Sequence, residues 1–305
     1  MSLKQQMKRI LRRIFEVGQR FKVDILPRHF YSEIPSISLL RSTTAWRRPL
    51  SMNGIAGAEI QSQLELAASC TQGLQANLAT TFIHQRACEM NGLKEGFGEI
   101  EADFLYCFVR SQKPPQIVQV GCGVSTAVCI LAAADEGYKP KIICIDPYPT
   151  RFLLQQAAAG AIHVVAKKVE ESELKIGEIL TAGGLFFVDS SHTLGPAGEV
   201  TQLICETLPT LPTGTWVHFH DIYFPYNYAP AILTSDIFFS HETDLLYAFL
   251  VMNPRFRIAT SLSMLHHSSA AELASLLPRY RPAKFEQGLR LSSGDYPSSV
   301  YLRVD

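Results

Sequence analysis

Four short stretches of the chain hold residue types from which a reaction could be built. Gly121, Gly123 and Ser125 lie in Gln119-Val120-Gly121-Cys122-Gly123-Val124-Ser125-Thr126, directly after an apolar run, and Asp146 closes the next such run in Cys144-Ile145-Asp146-Pro147. Asp189 and His192 fall in Val188-Asp189-Ser190-Ser191-His192, and His218, His220 and Asp221 in His218-Phe219-His220-Asp221-Ile222. Glycines so placed permit a tight turn and close backbone approach, and a helix starting behind them offers free N–H groups. By itself a Gly-x-Gly is also what a bare strand-to-helix turn looks like. An acid about 20 residues further on adds a group that can accept both hydrogen bonds of a ribose diol, and the two features together predict an adenosine-type ligand. A dinucleotide fits less well, because Thr126 replaces the third glycine of Gly-x-Gly-x-x-Gly and the backbone would crowd a pyrophosphate. His192 and His220 are candidate general bases, since imidazole titrates near working pH. Asp221 could orient the base or a substrate hydroxyl, and Asp189 could form the polar edge of the site. Two carboxylates with two histidines could also bind a divalent ion.

The elements that must position these residues are legible from texture. Apolar β-type runs at Ile117–Val120, Lys141–Ile145, Ala161–Val165, Leu185–Val188 and Thr215–Phe219 alternate with helical stretches, and later runs at Phe256–Ser263 and Ser299–Val304 complete the set. Continuous apolar runs bounded by Gly and Pro are what strands covered on both faces look like. The fold expected is α/β, a doubly wound, mostly parallel Rossmann-like sheet with helices on both faces. Ligands of such sheets bind beyond the carboxyl ends of the strands, where the topology reverses. Strand alternation puts Trp216, His218 and His220 on one face, with His220 at the end that reaches the site. His218 reads more readily as a satisfied structural histidine. Residues 1–90 are expected to form a helical and irregular extension, and residues 91–305 the catalytic domain.

With 305 residues, 47% hydrophobic and 18% charged, the chain is globular rather than disordered, collagen-like or a coiled-coil rod. Twenty-eight Lys plus Arg balance 28 Asp plus Glu, leaving no bulk field to attract nucleic acid. Seven cysteines without C-x-x-C spacing read as buried hydrophobes in a reducing compartment. The absence of a long apolar segment or a secretory signal points to cytoplasmic residence. Residues 1–24 carry seven Lys or Arg, with Met7, Ile10, Leu11, Ile14, Val17 and Phe21 at helical spacing. This basic amphipathic helix suits packing on its own domain, a partner, or peripheral contact with an anionic membrane. A homo-oligomer is compatible with the sequence.

The combination Val120 to Thr126, Pro147 to Pro149, Val188 to His192 and His218 to Ile222 resembles the class I S-adenosylmethionine-dependent methyltransferases, most closely bacterial members. The likeness covers residues 97–305, and the lead-in Phe30-Tyr31-Ser32 with Ile34-Pro35 is similar too. The resemblance implies S-adenosyl-L-methionine as cofactor, with Gly121, Gly123 and Ser125 around its methionine part and Asp146 on its ribose. It also implies Glu170 and Val169 at the adenine, while Asp189 could hold the site's polar edge or the cofactor ammonium. Glu170 is equally placed to be an exposed glutamate opening a helix. Many relatives carry an acid where this chain has Gln119, whose amide can hydrogen-bond the methionine ammonium without neutralising it. Metal-dependent relatives use an Asp after the fourth strand and an Asp-Asn pair after the fifth, and Asp189 and Asp221 match the acids. Here Ile222 follows Asp221, which argues against magnesium and leaves a divalent metal doubtful.

Methyl transfer from a sulfonium is an in-line displacement, so donor and acceptor must be aligned and a hydroxyl acceptor deprotonated. The aromatic loop Ile222-Tyr223-Phe224-Pro225-Tyr226-Asn227-Tyr228 suits a sugar or aromatic acceptor, or a loop clamped by its own side chains. The leading expectation is O-methylation of a small molecule or glycan, with His192, His220 and Asp221 as catalytic groups. A silent methyltransferase-like binding protein and a nicotinamide-dependent oxidoreductase are the alternatives.

Overall fold

The computed structural model describes residues 3–30, 32, 34–94, 96–228, 239–285, 288–290 and 296–305. Tyr31 of the lead-in motif lies outside them. The chain divides into two compact units, Met1–Ala45 and Trp46–Asp305.

The first unit holds helices α1 (Leu3–Arg20) and α2 (Ile37–Ser42). Helix α1 runs past Gly18 and then closes, with Phe21 N and Val23 N both donating to the Gly18 carbonyl and Lys22 taking a positive φ of 59°. Helix α2 starts where the Ser36 hydroxyl accepts from Leu39 N, a side-chain cap for an otherwise unpaired donor.

The second unit begins at Trp46 rather than at the expected boundary of residue 91. Its helices are α3 (Ile60–Thr71), α4 (Gln75–Thr80), α5 (Ile83–Met90), α6 (Glu99–Gln112), α7 (Val124–Asp135), α8 (Arg151–Ala158), α9 (Ile176–Ile179), α10 (Glu199–Thr201), α11 (Glu242–Leu250), α12 (Leu262–Ser268) and α13 (Ala270–Leu276). The reason for the earlier boundary is packing. Helices α3 and α5 lie against α6, and α5 also lies against α7, so residues 60–90 share the core of the sheet domain.

The sheet has seven strands: β1 (Gln116–Val120), β2 (Lys141–Ile145), β3 (His163–Val165), β4 (Leu185–Val188), β5 (Trp216–Phe219), β6 (Phe256–Ser261) and β9 (Val300–Val304). Their order is β3-β2-β1-β4-β5-β9-β6. Strands β1 to β5 pair in parallel, while β9 runs antiparallel to both β5 and β6. This is the expected doubly wound Rossmann-like sheet, and its order reverses between β1 and β4. A small hairpin of β7 (Ala283–Phe285) and β8 (Gly288–Arg290), not read from the sequence, lies outside it. Strand β6 stops at Ser261 instead of Ser263 because the Ser261 hydroxyl accepts from Met264 N and opens α12.

Both faces are buried, as continuous apolar strands require. Ile117, Cys144, Phe187, Trp216 and Tyr301 point into the layer with Phe104, Phe108 and Cys129. Their neighbours Val118, Ile143, Phe186, Val217 and Leu302 point into the layer with Ile204, Leu208 and Leu246. Helix α6 is almost wholly inside, yet it carries Glu101 and Asp103, 2% and 0% exposed. Buried carboxylates need partners. Asp103 finds Arg279 (2.9 Å), and Glu101 reaches the end of the sheet where β4 and β5 finish. None of the seven cysteines is in a disulfide bond.

Candidate functional site

The loop after β1 is built around glycine. Gly121 has φ +78°, and a Cβ there would stand 1.8 Å from the Asp189 carbonyl oxygen, so any side chain would push β1 and β4 apart. Gly123 has φ +153°, and its N–H donates to the Thr126 hydroxyl (3.2 Å), which closes the first turn of α7. The threonine in the third-glycine position is thus a helix cap, and it occupies an N–H that a phosphate would otherwise use.

Asp146 comes back to this loop. Its Oδ2 accepts from Cys122 N (3.3 Å) and its Oδ1 from Tyr148 N (2.7 Å), so the glycine turn and the acid after β2 meet at one point. Gln119 is fully buried beneath the turn. Its amide nitrogen donates to the Ser125 hydroxyl (3.4 Å), while its carbonyl oxygen is buried without a hydrogen-bond partner. Glu170, in the short turn after β3, likewise holds Oε2 buried without a partner, beside buried Val169. Asn91, which carries no sequence signal, stands over the turn. Its side chain is 3.0 Å from where a Gly123 Cβ would be, and its Oδ1 accepts from the Thr150 hydroxyl (2.9 Å).

Asp189, His192, His220 and Asp221 come together at the ends of β4 and β5. His220 presents Nδ1 to Asp189 Oδ1 (3.2 Å) and Nε2 to Glu101 Oε2 (2.7 Å). His192 presents Nδ1 to Glu242 Oε2 (2.6 Å) and Nε2 to Asp189 Oδ1 (3.4 Å). Asp221 Oδ2 lies 3.6 Å from both His192 Nε2 and His220 Nδ1. The carboxyl of Asp189 therefore belongs to this cluster, while its carbonyl touches the glycine turn. His192 and Asp221 both adopt left-handed backbone, φ +59° and +56°, uncommon for residues with a side chain and costly unless the surroundings enforce it. The enforcement is visible: the His192 carbonyl accepts from the Ser240 hydroxyl (2.9 Å) and His241 N (3.2 Å), and Asp221 Oδ1 accepts from Tyr223 (3.1 Å) and Ser298 (3.0 Å) hydroxyls.

Burial alone would strip protons from these rings, but the carboxylates outweigh it. His192 is pushed up to about 10 by hydrogen bonds to Asp189 and Glu242 and by the charges of Glu242 and Asp221. His220 rises well above the usual imidazole range through Asp221, Glu101 and Asp189. For Asp189 burial pushes upward, yet the charge of His220 and hydrogen bonds from both rings hold it below the ordinary carboxylate range. His218 behaves differently. It stacks on Phe187 with ring centroids 4.2 Å apart, and its Nε2 meets the Ser299 hydroxyl (2.9 Å). Burial, then the charge of His220, keeps it neutral.

Sequence reasoning missed Glu101 and Glu242, the two buried acids behind the rings. Glu101 had one available signal, an acid inside the apolar run Ile100 to Val109; Glu242 had none, being brought in by α11. The aromatic loop turns largely inward: Ile222 and Phe224 are fully buried and Tyr223 is 5% exposed, its hydroxyl spent on Asp221.

Residues 118–222 match the family model described as a methyltransferase domain. No curated protein matches the chain. Among solved structures, an SAH-bound methyltransferase from Podospora anserina is 14% identical, with 92% of this chain and 99% of that chain covered and a TM-score of 0.42. A branched-chain polyamine synthase from Thermus thermophilus is 14% identical over 73% of this chain and 63% of its own, with a TM-score of 0.40. A plantazolicin methyltransferase bound to SAH is 10% identical over 81% and 95%, with a TM-score of 0.34. The matched segment runs from β1 to just past β5, the parallel half of the Rossmann-like sheet. Among the described residues no helix is long and apolar enough to cross a membrane.

Proposed function

We propose that the protein binds S-adenosyl-L-methionine and transfers its methyl group to a hydroxyl of a small molecule or glycan. The observation that carries this reading is the meeting of the glycine turn with Asp146, Cys122 N to Asp146 Oδ2 at 3.3 Å, which brings a ribose acceptor to the point where the sheet order reverses. The unpartnered Gln119 carbonyl is a ready acceptor for an ammonium, and the unpartnered Glu170 oxygen for an adenine amino group. Gly121 and Gly123 let the backbone wrap the methionine part. The Gly123 N–H is already engaged by Thr126, which speaks against a pyrophosphate and hence a nicotinamide dinucleotide.

The cofactor supplies an electrophilic methyl group; the chain must hold it in line with the acceptor and collect the acceptor's proton. Asp221 has the most exposed side chain of the His–Asp cluster, 29% against 9% and 10% for the rings of His192 and His220, and is the group an acceptor hydroxyl meets first. The rings lie behind it. Either can take a proton only after releasing the one it now directs at Asp189 and Asp221.

Titration calorimetry of the full chain with S-adenosylmethionine and S-adenosylhomocysteine tests the reading. Micromolar binding that disappears in Asp146→Ala is expected, and no heat from the wild-type chain with either ligand overturns it. Transfer of labelled methyl to any acceptor in a host extract separates turnover from a silent binding protein.

A further inference from the structure

We propose that Asn91, standing over the amino end of α7, holds the carboxylate of the cofactor's methionine part. The inference rests on the S-adenosylmethionine reading of the same site and names the residue that meets the cofactor's one anionic group. Asn91 is 5% exposed and follows the last residue of α5. That helix end is closed by backbone alone. Asn91 N donates to the Ala87 carbonyl (3.0 Å) and Leu93 N to the Cys88 carbonyl (2.7 Å), with Gly92 and Leu93 in left-handed conformation at φ +72° and +61°. The Asn91 side chain is not needed there, and it reaches instead to the starts of α7 and α8.

The partners fix which way the amide points. The Lys94 carbonyl can only accept, so Nδ2 faces it (3.4 Å), and Oδ1 accepts from the Thr150 hydroxyl (2.9 Å). Nδ2 carries two hydrogens, and among the described residues only one of them has an acceptor. The same nitrogen lies 3.0 Å from where a Gly123 Cβ would be, so the bare backbone at 123 is what lets the amide rest on the turn. A buried donor left with an unused hydrogen is costly unless a ligand arrives to accept from it.

The surroundings select an anion. Helix α7 is 12 residues long, and its first internal bond runs from Ala127 N to the Gly123 carbonyl (3.0 Å). The N–H groups of Val124, Ser125 and Thr126 therefore have no carbonyl of their own helix, and the positive end of its dipole faces the turn. Asp146, the acid at this turn, has its oxygens engaged by Cys122 N and Tyr148 N and takes none of these donors. Gln119, the proposed acceptor for the ammonium, lies beneath the turn and Asn91 above it, so the two charges of one amino-acid end are met from opposite sides. Because Thr150 already holds Oδ1, the amide presents its donor without reorganising.

The test is calorimetry on the full chain with S-adenosylhomocysteine and with its decarboxylated form, which keeps the amine and lacks only the carboxylate. Asn91→Ala should weaken S-adenosylhomocysteine binding about 10-fold or more. Asn91→Asp, which keeps an acceptor for Thr150 and sets a like charge against the carboxylate, should weaken it further. Both variants should bind the decarboxylated form at least as well as the wild-type chain does. Circular dichroism and a cooperative melt establish that each variant is folded; Asn91→Asp, the closer match in shape, carries the test if Asn91→Ala does not fold. A folded variant that binds S-adenosylhomocysteine as wild type does, or that loses both ligands equally, overturns the role of Asn91 and leaves the cofactor reading standing. A wild-type chain that binds neither ligand overturns the cofactor reading itself, and this inference with it.

Discussion

Gln119 sets how strongly the proposed cofactor site can hold a cation. Its amide is fully buried, one end on Ser125 and the carbonyl unpartnered, so it offers a dipole and not a charge. Gln119→Glu is expected to tighten S-adenosylmethionine binding, because a carboxylate both accepts from and neutralises the ammonium. The same change should lower the melting temperature of the ligand-free chain, since an isolated buried carboxylate is costly. Calorimetry and thermal melts measured side by side check the pair of effects; tighter binding without loss of stability would mean that the position is wetter than its burial implies. At this scale the sequence was informative where chemistry depends on neighbours in the chain. Gly121, Gly123, Asp189, His192, His220 and Asp221 are legible because each follows the end of an apolar run. Glu101 and Glu242 are not, because 119 and 50 residues separate them from the rings they hold, and only packing of α6 and α11 brings them there.

Elements carry the second kind of information. The seven sheet strands were readable to within a few residues because a strand buried on both faces is apolar without interruption. The role of α3 and α5 was not, because Ala-, Leu- and Gln-rich helices look alike whether they cover a sheet or precede it. Helix α6 is then pinned from outside by Arg279, just beyond α13. That guanidinium reaches both oxygens of Asp103 (2.9 and 3.2 Å), Glu99 (3.1 Å) and the Thr81 carbonyl (2.8 Å). Arg279→Ala leaves the Asp103 carboxyl buried and uncompensated, which should cost about 3–5 kcal/mol in denaturant unfolding. Burial already pushes Asp103 up to about 7 against the pull of Arg279, so the loss should be larger above neutral pH, where the variant must keep a charge inside, than below it. Helix α12 supplies a second titration. His266 is 1% exposed, meets the Tyr280 hydroxyl at 2.7 Å, and is held down to about 4 by burial and then by the charge of His267. The unfolded chain binds a proton there below about 6.5 while the folded chain does not. Stability should therefore fall as pH drops from about 6.5 toward about 4, by up to roughly 3 kcal/mol, then level off. His266→Gln should flatten that part of the curve, and an unchanged slope would assign the acid loss to other groups.

For the whole molecule, charge balance conceals an asymmetry. The chain is neutral at 28 against 28, yet residues 1–24 hold seven basic and two acidic residues, which leaves the remainder net acidic by five. Within its own unit the apolar stripe of α1 is uncovered: Met7, Ile10, Ile14 and Val17 are 60%, 58%, 43% and 50% exposed. An apolar stripe flanked by lysine and arginine matches an anionic bilayer surface, where each basic residue contributes about 1 kcal/mol and the stripe adds its own burial. The acidic body would be repelled by the same surface, so attachment should be through α1 alone. The full chain is expected to co-sediment with vesicles containing anionic lipid, to stay in solution with neutral vesicles, and to detach as salt shortens the screening length. Ile10→Asp with Ile14→Asp should abolish co-sedimentation and leave S-adenosylmethionine binding intact, because the proposed cofactor residues lie in the other unit. Equal sedimentation with neutral vesicles, or none with anionic ones, would remove the membrane reading.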